Sequence, residues 1–403
     1  MKNFQFGKWI GFRVVSFGVA ALLCFLLDRI LQGDNQSYTR FLVSLAGIYV
    51  TLAVSLNLIN GITGQFSIGH AAFYQIGAYT GAVLAGGMFA KLATSQPLLW
   101  LVLAAIFGAI TAGISGFIVG LPSLRLRGDY LAVVTLGIGE IVNIIAKNQK
   151  ALGEAYGLAA NKIESVFLVS LLAVICIAVS RNLLKTAHGL AFLAVREDEI
   201  ASSAMGVNVT KIKVTAFVLG SAFAGAAGAL YAHTKGFVSP PDFSMDVSFL
   251  ILTMVVLGGT GSITGSVLAA VVLFIIPEKM RDLKPVMMGA PIGVAIGIIV
   301  GVALLKKIQD NYHGPALKRF GMNVGSIAIG IVMAKLMATL LVKIPALQHM
   351  INGASFRMPA LAVTLVVLML LRPQGVFAHH EFSWSWVQKL LGRKSVPETE
   401  VAA

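Results

Sequence analysis

The stretch LINGITGQFSIGHAAFYQIGAYTGA, residues 58–82, interrupts an apolar chain with glycines and polar side chains. The chain around it has 403 residues and is 57% hydrophobic but only 12% charged, whereas soluble domains carry about 25% charged residues. Apolar runs of roughly 17–25 residues, the length of a membrane-crossing helix, recur on both sides of the stretch. Because lipid offers the backbone no hydrogen-bond partners, this pattern predicts an all-α polytopic integral membrane protein.

The apolar runs, taken with the polar breaks between them, predict about twelve transmembrane helices. Two of the runs, 246–258 and 358–371, are short, and the first could instead join its successor as a re-entrant pair. Loops on the side of the N-terminus carry more Lys and Arg than the opposite loops, which predicts that both termini are cytoplasmic. The predicted spans lie near 10–30, 41–59, 66–90, 97–120, 130–147, 163–180, 212–233, 246–258, 262–277, 286–305, 323–345 and 358–371.

The charged, cysteine and histidine residues give no sign of a catalytic, metal or nucleic-acid site. The net charge of +14 is spread in small groups between apolar runs, which is typical of topology signals. Cys24 and Cys176 both lie in apolar runs and encode no disulfide framework, and the seven histidines lack metal-ligand spacing. No Walker-type phosphate-binding loop occurs, so any ATP that drives this protein is hydrolysed by another polypeptide. We therefore expect no enzyme activity and no cofactor in this chain.

A second glycine-rich corner, GGTGSITG at 258–265, is similar to GITGQFSIG at 61–69. Both place Gly and Thr before a Ser-Ile step between apolar runs. Because few residues are shared, the similarity leaves an internal duplication and chance equally open.

The longest hydrophilic break, residues 181–211, is the candidate surface element of the chain. Leu193, Ile200 and Ala204 recur at helical spacing, with a charged group at 196–199 between them. Periodicity alone leaves an amphipathic surface helix and a solvated loop equally open. The dense acidic and basic cluster favours the helix, as a docking surface for a partner protein.

Five motifs resemble the permease subunits of branched-chain amino-acid ABC importers. They are NGITGQFSIGHAAFYQIGAYTGA (60–82), GLPSLRLRGDYLAVVTLGIGEIV (120–142), LAFLAVREDEIASSAMGVNVTKIKVTAFVLGSAFAGAAGALYAH (190–233), MVVLGGTGSITG (254–265) and LRPQGVF (371–377). The first four lie between residues 40 and 278. A single motif would be weak evidence, whereas five in the family's order are specific.

The resemblance implies a multi-pass importer subunit in the cell inner membrane, surrounded by lipid, that passes substrate between its helices by alternating access. The implied partners are two ABC ATPase subunits, a homologous second permease and a periplasmic substrate-binding protein. The implied substrates are leucine, isoleucine and valine, although similar permeases move urea, short amides and other amino acids. The alternative is an ion-coupled secondary transporter, for which Glu140 and Lys335 are the intramembrane charges to consider.

The coupling loop of this family, which seats on the ATPase, matches the segment 189–206. The resemblance carries that role over to Arg196, Glu197, Asp198, Glu199 and Gly206. Gly206 can also end a short helix as a left-handed cap, which gives the match a physical basis independent of the resemblance.

Small residues inside the predicted spans indicate surfaces where helices pack. Gly77 and Gly81 form a GxxxG pair, and Gly225 with Ala229 forms a small-xxx-small pair. Such spacing lets two helix backbones approach closely, so helix packing is favoured over ligand contact at these positions.

Four polar residues inside the spans require protein or water around them. Ser67, His70 and Tyr74 have the spacing of one helical face, which favours lining of a translocation path over interhelical hydrogen bonds. Glu140 lies well inside its span. We expect it to contact a basic residue or polar groups of a neighbouring helix rather than substrate.

The chain departs from the family pattern at 286–345, where two additional apolar runs precede the RPQG motif. An even number of runs keeps the C-terminus on the cytoplasmic side, so an inserted helical hairpin is predicted. The predicted organisation is a permease domain at 1–285 and 346–377, this insertion, and a cytoplasmic tail at 378–403. Four glycines of the first inserted run share one helical row and are expected to pack against a neighbouring helix: Gly289, Gly293, Gly297 and Gly301.

Overall fold

The structure is a computed structural model that describes most of the chain between residues 17 and 281. The described ranges are 17–33, 37–87, 89–123, 129–281 and 286–287, with 329, 332–337, 339–340 and 350–351. The predicted glycine row at Gly289, Gly293, Gly297 and Gly301, most of the insertion, the RPQG motif and the tail lie outside the described residues.

The described part of the chain is built from helices joined by short connections. The helices are α1 (17–30), α2 (Ser37–Asn57), α3 (His70–Gly86), α4 (Ala90–Ser95), α5 (Pro97–Ser123), α6 (Asp129–Asn148), α7 (Val166–Leu184), α8 (Ala187–Glu197), α9 (Glu199–Ala204), α10 (Val209–Lys235), α11 (Met245–Gly258) and α12 (Ile263–Arg281). A π-helical turn, Leu58–Ile62, continues α2, and 3-10 turns cover Lys150–Leu152, Glu154–Tyr156 and Pro240–Phe243. Two short antiparallel pairs join β1 (Leu158–Ala159) to β2 (Phe237–Val238) and β3 (Val286–Met287) to β4 (Met350–Ile351).

Contacts divide the chain into two compact units, Met1–Val271 with Val376–Ala403, and Val272–Gly375. The first unit holds α1 to α11 and the start of α12. The second holds the rest of α12 and the β3–β4 pair. The candidate site described below lies wholly within the first unit.

Six helical segments of the described chain are long and apolar enough to cross a membrane. Each overlaps a predicted span, because apolar runs of this length are stable only in a bilayer or a protein core. The full number of spans and the cytoplasmic location of both termini stay predictions. The six segments are Ser37–Ile62, Pro97–Leu121, Tyr130–Asn148, Val166–Leu184, Val209–Lys235 and Pro240–Gly258.

The span predicted at 66–90 is longer than the helix that the structure places there, His70–Gly86. Residues 64–69 are not helical, and Gly64 has a φ of +69°, which a right-handed helix does not contain. Ser67 and His70 are fully buried. The helix therefore begins inside the bundle rather than at its surface.

Helices α3, α5 and α10 pack through glycines. A Cβ atom on Gly77 would overlap the backbone of Gly225, and one on Gly108 would approach the same backbone from α5. Gly81 lies opposite Ala229, and a Cβ atom added to Gly81 would lie 3.3 Å from the Cβ atom of Ala229. Close backbone approach of this kind replaces the hydrophobic effect as the source of helix association in lipid.

Two glycine-containing corners meet next to α2. The first corner comprises residues 58–69, which precede α3, and the second corner comprises residues 258–265, which lead into α12. Asn57 Oδ1 accepts a hydrogen bond from the Gly261 backbone N–H at 2.8 Å, and Asn57 Nδ2 donates to the Ser262 carbonyl oxygen at 3.1 Å. The two stretches with similar sequences are thus in contact, while the internal duplication stays a prediction.

Candidate functional site

The first corner is held by polar side chains because its residues 64–69 are not helical. Asn60 Nδ2 donates to the Ser67 carbonyl at 3.0 Å, and the Ser67 N–H donates to Asn60 Oδ1 at 3.2 Å. Gln65 Nε2 donates to Thr63 Oγ1 at 2.9 Å and to the Lys213 carbonyl of α10 at 3.3 Å. Irregular backbone at membrane depth is tolerated where protein groups satisfy it in this way.

The structure buries Ser67, His70 and Tyr74, each at 1% exposure or less. The helical spacing argued from sequence does not hold for Ser67, because α3 begins only at His70. His70 Nε2 and Ser55 Oγ are hydrogen-bonded at 2.8 Å. The Tyr74 ring packs on Phe243, with centroids 4.9 Å apart. Whether these side chains line a path stays a prediction.

Buried polar atoms without hydrogen-bond partners concentrate around α3. In the described part of the chain, most such side-chain atoms belong to five residues: Ser67, His70, Gln75, Tyr79 and Asn143. A buried polar group without a partner costs about 1–3 kcal/mol. Such groups in a native protein call for an explanation, which includes a ligand or water that takes up the unused hydrogen bonds. The sequence singled out Ser67 and His70 but not Tyr79 or Asn143, which lack a distinguishing motif.

A narrow cleft runs beside the first turn of α3. Glu140 of α6 and Ser248 of α11 line it together with the small residues Gly69 and Ala71. Ser248 Oγ accepts a hydrogen bond from the Ala71 N–H at 3.3 Å. Within the described residues Glu140 has no hydrogen-bond or ion-pair partner, so the expected contact to a basic residue or to polar groups is absent there.

Helices α8 and α9 form a hairpin on the surface instead of one amphipathic helix. The break falls at Asp198, whose Oδ1 accepts hydrogen bonds from the backbone N–H groups of Ile200 at 2.8 Å and Ala201 at 3.0 Å. An aspartate in this geometry is an N-cap and starts a new helix. The apolar stripe expected from Leu193 to Ile200 is therefore wrong: Leu193 packs inward, while Ile200 is 70% exposed.

Most of the charged cluster at 196–199 is engaged within the chain. Arg196 Nη1 donates to the Gly61 carbonyl at 3.2 Å, and its Nε and Nη2 donate to Glu197 Oε1 at 3.1 and 2.8 Å. Glu199 forms an ion pair with the buried Lys213. Glu197 and Asp198 are exposed, Glu197 at 72%, while Arg196 and Glu199 are partly buried, and the part that these residues play in docking stays a prediction.

Three large apolar side chains of the hairpin are exposed. Ile200 and Met205 are 70% and 85% exposed, and Leu190 on α8 is 65% exposed. Gly206 follows α9 with a φ of +85° and nothing within 4 Å of a Cβ added to it. The hairpin thus presents apolar side chains outward while its charges hold it to the bundle.

The apolar spans and the close glycine contacts between helices define a multi-pass membrane protein. A sequence model of the family described as branched-chain amino acid transport system / permease component matches residues 38–305. Since the match covers more than half of the chain, the chain belongs to this family of transport permeases.

The curated relatives are named as permeases of the same transport system. The chain is 39% identical over 271 residues to the high-affinity branched-chain amino acid transport system permease protein LivM of Salmonella typhimurium, covering 58% of this chain and 62% of the relative. It is 36% identical over 277 residues to the LivM protein of Escherichia coli, covering 60% and 63%. It is 26% identical over 256 residues to the LivH permease of Salmonella typhimurium, covering 57% and 81%. The chain thus spans less than two thirds of the length of these LivM proteins, and no solved structure matches it.

Proposed function

We propose that this chain is the permease subunit of an ATP-driven ABC importer that moves branched-chain amino acids across the cell inner membrane. The family match over residues 38–305 and the transport system named in its LivM relatives support this role. Transport proceeds by alternating access and involves no covalent chemistry in this chain. Urea and short amides, which are related small polar solutes, are the alternative substrates whose uptake should be measured.

The observation that carries the proposal is the direct contact between the α8–α9 hairpin and the first corner. Arg196 reaches the Gly61 carbonyl, and Asn57, which directly precedes the first corner, accepts a hydrogen bond from the Gly261 N–H of the second corner. An ATPase docked on the hairpin would move Arg196, and through these hydrogen bonds the starts of α3 and α12. The two helix starts are therefore the elements that ATP hydrolysis shifts.

The carried-over coupling residues take separate roles in this proposal. Arg196 transmits motion to the first corner, and Glu197 holds its guanidinium in place. Asp198 and Gly206 set the two ends of α9. Glu199 anchors α9 to Lys213 of α10.

The ATPase contact itself is assigned to Ile200 and Met205. Both side chains are exposed and apolar, whereas the neighbouring charges are engaged within the chain. Desolvated apolar anchors contribute most of the affinity at protein interfaces, and exposed ion pairs contribute little. A cytoplasmic location of this hairpin follows from the same assignment.

The remaining partners are a second, homologous permease, two ATPase subunits and a periplasmic substrate-binding protein. The likeness to both LivM and LivH permeases supports a paired arrangement of two related membrane subunits. Ser67, His70 and Tyr74 line the translocation path when the bundle opens. Their burial in this structure then corresponds to a closed path, and the unpaired Ser67 Oγ and His70 Nδ1 atoms supply hydrogen bonds once it opens.

The docking assignment is tested with the double variant Ile200→Lys, Met205→Lys in the complete complex. We expect the ATPase to be lost from the purified complex and ATP-dependent L-leucine uptake into proteoliposomes to fall at least tenfold. Tyr156→Lys is the matched control, because Tyr156 is 86% exposed and lies outside the hairpin. Wild-type amounts of bound ATPase in the double variant would refute the docking site. Leucine uptake driven by an ion gradient without ATP would establish the secondary transporter instead.

A further inference from the structure

The cleft beside α3 combines a carboxylate with a small enclosed space at the middle of a membrane span. Glu140 lies near the centre of α6, which runs Asp129–Asn148. The cleft has room for a group of about the size of a water molecule. The small residues Gly69 and Ala71 and the larger Phe243 and Met245 also line it.

The carboxylate of Glu140 has no cation beside it in the described part of the chain. Ionisable groups within a membrane span are expensive, so they are found where a partner or a substrate path compensates them. Ser248 adds a hydroxyl oxygen to the same cleft and is 6% exposed. The cleft therefore offers oxygen atoms and negative charge to a small group that donates hydrogen bonds.

Neighbouring side chains extend this polar surface. Gln75 lies one turn beyond Ala71 and Ala72 on the same side of α3, is 1% exposed, and has no hydrogen-bond partner on either amide atom. Asn143, one turn beyond Glu140, donates to the Pro240 carbonyl at 2.8 Å and leaves its own Oδ1 unpaired. These are buried polar atoms whose hydrogen-bonding capacity is unused in this structure.

We propose that this cleft, with Glu140 as the counter-charge, receives the ammonium group of the transported amino acid. The ammonium is small enough for the space, carries three hydrogen-bond donors and matches the carboxylate and hydroxyl oxygens of Glu140 and Ser248. The rest of the amino acid lies outside the cleft. Gln75 lies beside it and supplies amide hydrogen bonds as the helices separate during transport. This inference rests on the proposed function, since it assigns a part of the same substrate to named residues.

The structure also explains why the carboxylate is tolerated before substrate arrives. The Ala71 N–H at the start of α3 donates to Ser248 Oγ beside the cleft, and the positive end of a helix dipole stabilises a nearby anion. If Glu140 served only to stabilise the start of α3, its negative charge would be needed for folding and not for transport. Transport and assembly must therefore be measured separately.

The test uses the complete complex in proteoliposomes, with L-leucine uptake and ATP hydrolysis measured on the same preparation. Glu140→Gln removes the charge at constant size, Glu140→Asp keeps it, and Glu154→Gln is the control at a glutamate outside the cleft. We expect Glu140→Gln to lower leucine uptake at least tenfold while stimulated ATP hydrolysis stays within twofold of wild type. Glu140→Asp is expected to retain more uptake than Glu140→Gln.

Three outcomes would overturn the proposal. The first is that Glu140→Gln takes up leucine at the wild-type rate. The second is that this variant loses uptake, ATP hydrolysis and thermal stability in parallel. The third is that the wild-type complex loses uptake when N-methyl-D-glucamine replaces Na⁺ and K⁺. The last result would assign the cleft to an inorganic cation. If Glu140→Gln does not assemble, Gln75→Leu decides: a drop of threefold or more in uptake supports the cleft, and no drop refutes it. A wild-type complex that takes up no branched-chain amino acid would refute the proposed function instead.

Discussion

The two corners have similar sequences but use their polar groups differently. In the second corner Ser262 Oγ accepts the Gly265 N–H at 3.1 Å, and Ser266 Oγ donates to the Ser262 carbonyl at 2.9 Å. None of the buried unpartnered side-chain atoms in the described chain belongs to that corner. The first corner contains Ser67, whose Oγ has no hydrogen-bond partner, and it is followed by His70, whose Nδ1 has none either. A corner with satisfied groups is a structural turn, whereas the one with unused hydrogen bonds is where a ligand is expected.

The contact between the corners is most vulnerable at Gly61. A Cβ atom on Gly61 would overlap Asn57 Oδ1 and the Gly261 backbone. Since those atoms also form the hydrogen bond between the corners, Gly61→Ala forces them apart, and we expect a loss of about 3 kcal/mol or more. Thermal unfolding of the purified complex and leucine uptake measure this effect.

Gly86→Ala is the matched control for that substitution. Gly86 ends α3, and nothing lies within 4 Å of a Cβ added there. The control is expected to be neutral or slightly stabilising, because alanine favours helix over glycine. Equal stability of both variants would show that the corners are not in tight contact.

The bridge from Asn57 is expected to have the next largest effect. Asn57→Leu keeps the size of the side chain but leaves the Gly261 N–H and the Ser262 carbonyl without this partner. The Ser262 carbonyl keeps Ser266 Oγ as a partner, so the Gly261 N–H is the group that loses its hydrogen bond, at a cost of about 1–3 kcal/mol. Asn148→Leu removes a comparable hydrogen bond at an exposed site and is expected to change stability little. If Asn57→Leu unfolds at the wild-type temperature, the bridge from Asn57 does not stabilise the contact between the corners.

Arg196 distinguishes the corners by function rather than by stability, because in the described chain it contacts the first corner only. Arg196→Gln is expected to leave the ATPase bound and active, since the docking surface is apolar, but to lower leucine uptake several-fold. The ratio of ATP hydrolysed to leucine transported should rise accordingly. Arg181→Gln, at an exposed arginine in the last turn of α7, is the control. An unchanged ratio in Arg196→Gln would exclude this arginine from coupling.

The sequence predicted the long helices well because each is specified by its own apolar run. Helix α10, predicted at 212–233, spans Val209–Lys235, and α11, predicted at 246–258, spans Met245–Gly258. The start of α3 was misplaced, since it depends on contacts such as that of Asn60 with Ser67, which local periodicity does not report.

The partners of the charged cluster on the hairpin could not be predicted from the sequence for a similar reason. Charge and spacing identified the segment. They do not show that Arg196 bonds to Gly61, which is far away along the chain, or that Glu199 pairs with Lys213 of α10. Without these partners the charges look free. Ile200 was placed on one apolar face with Leu193 for the same reason, because the sequence pattern does not show that the helix breaks at Asp198.

The smallest expected effect uses two glycines that serve as controls for each other. Gly64 in the first corner and Gly261 in the second have φ values of +69° and +94°. Alanine in the left-handed region costs roughly 1–2 kcal/mol, so Gly64→Ala and Gly261→Ala should lower the unfolding temperature by similar amounts. Uptake should differ, because a Cβ on Gly64 would lie 3.1 Å from Arg196 Cγ and disturb the contact proposed for coupling. At matched stability, Gly64→Ala is therefore expected to raise the amount of ATP used per leucine more than Gly261→Ala does. The same ratio in both variants would remove the functional distinction between the two corners.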